Sequence, residues 1–387
     1  MNKPNKISRL EINLYAFFLV TSPMYWFFGV PVFVFGIVKY SLVLGVFYLA
    51  LKNSKHVNSI KLSEIITITI LISLILIPAI FGIGESQVFI ISNIYPFVYA
   101  LVLMFTFRVF IVRDFDDTSI RSVINKINFI IILLTSVIIA SYYLDLGLTA
   151  PAEFNNFPVT FSGFGSLRTG WSGGLAMFVG ANLYFCLTGT IKESNLVRLS
   201  IFMLILTQYL SGGRGGLITS LLLVLFYLMY HKRHIEIAII IISFAVFSIF
   251  NMELILTQLR ISSEYSGSAA GISSGRLEQY FEVGNLLLNN TFLPFGAYGY
   301  MDYFESIGIF NTIHNVWLRS AVEYTILFPI VLLLFISISV FNSNIKNSAK
   351  IVVLLTLSPT LFEPSAIIFN INNYLLWWFI FSYSTSR

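Results

Sequence analysis

Five cations of this chain are placed and typed for gripping an anion, and all five are arginines: Arg168, Arg214, Arg260, Arg276 and Arg319. A guanidinium is a planar, permanently charged fork that can take a phosphate through two parallel hydrogen bonds, whereas a lysine ammonium is a point charge. Two of the five lie in sequences that favour such a ligand. In Ser211-Gly-Gly-Arg-Gly-Gly216 the glycines permit a tight turn and close backbone approach. A helix beginning near Gly215 would turn its first N–H groups and its positive dipole end toward that turn, so Gly213, Arg214 and Gly215 form a candidate anion cradle. The competing reading is an ordinary inter-helix turn with an interfacial arginine. Ser274-Gly275-Arg276 repeats the theme. Arg276 falls in the first turn of a helix, where a cation opposes the dipole and a bound anion would relieve the conflict. A salt bridge to Glu264, Glu278 or Glu282 would explain it equally well.

His314-Asn315 supplies a group able to move a proton, because a neutral imidazole titrates near ambient pH and can accept from a hydroxyl. A lone histidine is more often a packing residue, and His56, His231 and His234 sit on the other side of the expected topology. Arg319 and Glu323 are spaced i,i+4, for which a mutual ion pair is the economical explanation, although charges in apolar helices also face polar cavities. Arg168 opens a helix beside Trp171, an interfacial anchor. Tyr280 and Asn315 complete the candidate binding residues, and Arg260 has no distinctive neighbours. The chain carries no G-x-x-x-x-G-K-[ST] motif and no metal-ligand or paired Cys/His spacing, so neither a metal nor a cofactor is expected.

The elements that must position these residues are apolar helices. Of 387 residues 57% are hydrophobic and 11% charged, with mean hydropathy +0.84; soluble domains carry about 25% charged residues. That composition is that of an integral membrane protein with no sizeable soluble domain. The net charge of +5 belongs to the flanks of spans and implies no nucleic-acid partner. The single cysteine, Cys186, lies mid-span and excludes internal disulfides. With about 20 apolar residues needed per span, helices are expected near 11–30, 31–51, 62–83, 91–112, 127–145, 171–190, 197–211, 215–230, 235–252, 313–340, 349–363 and 367–385. The first follows Lys3, Lys6 and Arg9 without a small-residue cleavage site and reads as a retained helix.

Alternation from a cytoplasmic N-terminus puts 17 Lys and Arg on inner segments, leaves Lys39 within the second span, and puts the five arginines outside. The expected fold is therefore a single transmembrane domain over 1–387, with a smaller outer loop at 146–170 and a large one at 253–312. Within the large loop, Ser273 and Ser274 read as the cap of a surface helix running to about Asn290. Its apolar side would hold Leu277, Tyr280, Phe281, Leu287 and Leu288.

With around a dozen spans, one large late outer loop, Ser211–Gly216, Ser274–Arg276 with the later Pro-Phe-Gly-Ala-Tyr-Gly, and His314-Asn315 followed by Glu323, the chain resembles the O-antigen polymerase and ligase superfamily of bacterial envelope enzymes. The resemblance implies a GT-C-like, metal-independent glycosyltransferase in the bacterial inner membrane, with its active site on the periplasmic face. It implies a glycan donor on undecaprenyl pyrophosphate, with Arg214 and Arg276 holding the diphosphate and His314 orienting or deprotonating the acceptor hydroxyl. Arg168 is a weaker match to an upstream arginine of the polymerases. Repeat-unit polymerisation, assisted by a chain-length regulator protein, is the favoured activity. The alternatives are ligation of glycan to lipid A–core and, from another class, flipping of the lipid-linked unit. A flippase should line a central cavity with cations rather than gather them on one face.

Overall fold

The structure is a computed structural model. It describes residues 7–24, 32–53, 62–81, 90–113, 117–144, 146, 168–250, 276–289, 294–296, 299–308, 313–362 and 374–386, and every regular element among them is helical. The helices are α1 (Arg9–Thr21), α2 (Val32–Asn53), α3 (Leu62–Phe81), α4 (Ile90–Arg113), α5 (Thr118–Leu144), α6 (Arg168–Thr188), α7 (Asn195–Ser211), α8 (Arg214–Tyr230) and α9 (His234–Phe250). They continue with α10 (Arg276–Asn289), α11 (Met301–Ser306), α12 (Val316–Glu323), α13 (Leu327–Phe341), α14 (Asn347–Leu355) and α15 (Leu375–Thr385), and a 3₁₀ turn spans Ser358–Leu361.

The protein is all-α, and α5, at 27 residues, is long and apolar enough to cross a membrane. Its neighbours are apolar but shorter, and several present aliphatic side chains outward: Ile235, Ile242 and Ile249 on α9, Phe202 on α7, and Leu44 on α2. Such faces suit a hydrocarbon surround better than water.

The bundle is organised around α15, whose residues from Leu375 to Ser384 are all buried. A helix apolar on every side belongs at a centre; α15 lies against α4, α6, α13 and α14. Among its few polar side chains, Ser384 Oγ donates to Tyr184 Oη at 2.8 Å and Trp377 Nε1 to the Val353 carbonyl at 3.2 Å. Between α5 and α6, Asn128 and Asn182 exchange reciprocal amide hydrogen bonds of 2.7 and 2.8 Å in full burial. Lys39, mid-span in α2, donates to the carbonyls of Ser22 and Met24 just past the end of α1. A cation at a helix C-terminus meets the negative dipole end.

α6 and α8 cross closely beside Gly216. A Cβ on Gly216 would stand 2.2 Å from the Ser172 carbonyl oxygen, so only glycine allows this approach. Ser172 Oγ donates to the Gly213 carbonyl at 2.7 Å and Gln208 Nε2 to the Ser172 carbonyl at 2.9 Å, tying α6, α7 and α8 at one end.

Two expectations are corrected. The helix expected over 313–340 is broken at Tyr324–Ile326, where Thr325 takes φ 153°, into α12 and α13. Pro329 then sits in the first turn of α13, where its missing N–H costs no helix bond. The α12 segment belongs with the preceding loop: Val283 and Leu286 of α10, Tyr300, Phe304 of α11, Ile313 and Val322 of α12 form a second, small apolar core. The chain at Phe295 and Gly296 docks on this unit, donating to the carbonyls of Val322 and Glu323 at 3.0 Å each and satisfying the end of α12. The other correction concerns the face of α10. Phe281 and Leu288 are exposed, while Gln279, Val283 and Leu286 are buried against α12 and the loop. Residues 251–275, with Arg260, Glu264, Ser273 and Ser274, lie outside the described set.

Candidate functional site

Three of the sequence-selected residues converge although they are distant in the chain. The charge of Arg276, the first residue of α10, acts both on Arg214, the first residue of α8, and on His314 ahead of α12. The local reasons are legible. Gly212 ends α7 in the left-handed conformation, φ 63°, with its N–H bonded to the Tyr209 carbonyl. Gly213 then opens α8 and, as glycine, supplies no side-chain cap to its first-turn N–H groups. Arg214 and Gly215 are half-buried at this start, and Phe362 lies over Gly215 at ordinary contact distance from where a Cβ would be.

His314 is held by its backbone. Its N–H donates to Gln279 Oε1 at 3.1 Å, and its carbonyl accepts from Tyr280 Oη at 3.0 Å; the same hydroxyl lies 3.1 Å from the Leu361 carbonyl. Ile313 N donates to Tyr300 Oη at 3.3 Å. These contacts fasten the His314 segment to α10 on one side and to the Ser358–Leu361 turn on the other. That turn is tied to α12 by Trp317 Nε1 donating to Thr360 Oγ1 at 2.8 Å, and to α8 by Thr219 Oγ1 and Ser358 Oγ at 2.7 Å. The ring itself is mostly enclosed, and its Nδ1 is buried without a hydrogen-bond partner among the described residues. Burial, with Arg276 alongside as the smaller cause, lowers the His314 pKa to about 4, so the imidazole is neutral at ambient pH.

Arg276 forms no ion pair with Glu278 or Glu282, nor with any other carboxylate among the described residues. Glu282 instead accepts from Tyr303 Oη at 3.3 Å. Of the three salt bridges that could have explained Arg276, two are absent and the third partner, Glu264, lies outside the described residues. The cluster therefore presents two guanidinium groups, a neutral imidazole and an uncapped helix start together, a donor-rich arrangement suited to an anion carrying more than one charge.

The remaining candidates take other roles. Gly213 has its carbonyl bonded to Ser172 and Leu217 and its N–H to Ser211 Oγ, so it offers a ligand nothing and acts in the turn. Asn315 caps α12, its Oδ1 accepting from Trp317 N at 2.9 Å and Leu318 N at 3.1 Å. Arg319 and Glu323 pair at 2.9 Å with 4% and 0% of their side chains exposed, the mutual ion pair that their spacing favoured. Tyr280 braces His314 instead of facing open space with its hydroxyl. Arg168 begins α6, and its side chain is outside the described set. Sequence reasoning missed Gln279, Phe362 and Thr360. They act through long-range contacts that no local spacing encodes.

No family model, curated protein or solved structure matches the chain.

Proposed function

We propose that this protein is a membrane-embedded glycosyltransferase that takes its glycan from a lipid-linked diphosphate at the end of the bundle where α8, α10 and α12 begin. The observation that carries the reading is the convergence of Arg214 and Arg276. An anion placed between two like charges offsets their repulsion, and a diphosphate provides one with bidentate geometry for each guanidinium. Contacts of about 1.5–3 kcal/mol each strengthen as the leaving diphosphate gains charge, and an interaction stronger in the transition state than in the ground state is what accelerates transfer. His314, neutral and held from both sides, accepts the proton of an acceptor hydroxyl that attacks the anomeric carbon opposite the leaving diphosphate, inverting that centre.

In this reading about twelve spans cross a bacterial inner membrane and the cluster faces the periplasm. The donor is an undecaprenyl-pyrophosphate oligosaccharide and the product a lengthened O-antigen or related surface polysaccharide. The purified protein given an undecaprenyl-pyrophosphate repeat unit should produce a ladder of lengthened glycans. Arg214→Ala, Arg276→Ala and His314→Ala should each deplete it. Three variants with wild-type ladders would remove the site assignment.

A further inference from the structure

A cavity of about 540 Å³ opens between α6, α7, α8 and α9 at the end of these helices opposite Arg214. That is within the range of small-molecule sites, about 300–1,000 Å³. Its walls are aliphatic, with Ile201, Ile205, Leu221 and Leu225 among them, and it runs along α7 from Val197 to Ile205, about 12 Å at 1.5 Å per residue. The rim indicates what fills it. Phe202 and Ile241 line the cavity and are themselves exposed, so it opens onto the apolar outer face of the bundle. At its polar end stand Glu193, Arg198 and Arg233.

These charges are not equally engaged. Arg233 is held by Glu193 at 2.6 Å and by Glu236. Arg198 gives only Nε to Glu193, at 2.8 Å, and keeps its side chain 58% exposed. Lys192 and Lys232 are exposed on the same two connections, which leaves cations in excess of the two glutamates. An apolar slot open to hydrocarbon, with a guanidinium fork at its polar end and two exposed lysines on the adjoining connections, suits an acyl chain with an anionic headgroup.

We propose that this cleft binds a phospholipid of the leaflet opposite the Arg214–Arg276 cluster, one acyl chain in the cavity and an anionic phosphate headgroup on Arg198. The site stands on the membrane setting of the bundle and is independent of the transfer chemistry. The test uses the full chain in nanodiscs of equal phosphatidylglycerol and phosphatidylcholine, the phosphatidylglycerol carrying a photoactivatable diazirine in one acyl chain. Irradiation of the wild-type protein should label peptides 197–205 and 221–228, and native mass spectrometry after detergent extraction should find one retained phosphatidylglycerol. Ile201→Trp, which fills the slot, should lower that retention by about tenfold, a difference of about 1.4 kcal/mol. Arg198→Ala should leave a lipid bound but cut the preference for phosphatidylglycerol over phosphatidylcholine by about threefold, the scale of an exposed charge contact. Labelling confined to other helices would overturn the proposal. So would a wild-type protein that retains no lipid, or a second copy or another protein cross-linked across the cleft.

Discussion

The two ends of α6–α8 carry arginines in opposite circumstances. At one end Arg198 and Arg233 meet Glu193 at 2.8 and 2.6 Å, and Arg233 also meets Glu236. Burial alone would raise the Glu193 pKa, but hydrogen bonds from Arg233, Tyr227 and Arg198 outweigh it and hold the carboxyl below its usual value. At the other end Arg276 has no carboxylate among the described residues and lies beside a second guanidinium and an imidazole. In the first arrangement each arginine meets at least one carboxylate. In the second, two guanidinium groups act on one another, and that difference in pairing distinguishes the two clusters.

Removing a charge at each end is the most direct way to break this contrast. Arg276→Ala should reduce glycan transfer by about 10²–10³-fold, the scale of losing one donor to a developing anion, with the melting temperature unchanged or raised because a like-charge contact disappears. Loss of fold in Arg276→Ala would put Arg276 with the structural arginines. Next in size is Gly216→Ala, whose Cβ would collide with the Ser172 backbone at 2.2 Å. Overpacking of this kind costs about 1–3 kcal/mol, so detergent-solubilised protein should melt several degrees lower. An unchanged melting temperature would contradict the close crossing.

The imidazole offers an intermediate effect. With the folded pKa near 4 and the unfolded value near 6.5, stability is complete above pH 6.5 and falls as the pH drops from there toward 4, since the unfolded chain takes up the proton first. His314→Gln should flatten that slope in acid denaturation. An anion on Arg276 would cancel its field and raise the histidine pKa. The acid limb of kcat should therefore lie at higher pH than that of kcat/KM, and coincident limbs would place the ring away from the bound anion. Glu193→Gln should have the smallest effect, about 1 kcal/mol or less at this partly exposed cluster, with transfer unaffected.

What the sequence revealed of this contrast follows from the range of the interactions. The α7–α8 turn was readable because Gly212, Gly213 and Gly216 encode it locally, and the helix bounds 197–211 and 215–230 fall within two residues of α7 and α8. The Arg319–Glu323 pair was readable from its i,i+4 spacing. The break between α12 and α13 was missed although Arg319, Ser320 and Glu323 set α12 apart from the strongly apolar run that starts at Leu327, with Pro329 in its first turn. The face of α10 was misjudged because a tertiary contact decides it: Gln279 is buried since its side chain accepts the His314 N–H, while Phe281 is left outside. The meeting of Arg214, Arg276 and His314 likewise depends on the Ser358–Leu361 turn and the small second core. Neither leaves a periodic signature.

Whether the two guanidinium groups together hold a diphosphate can be measured without any turnover, by titrating undecaprenyl pyrophosphate into the purified wild-type protein and the Arg214→Ala/Arg276→Ala double variant at two salt concentrations. Two charge-assisted contacts predict binding about a hundredfold or more tighter in the wild type, with affinity that weakens at the higher salt concentration. Equal affinities for the two proteins would contradict the account.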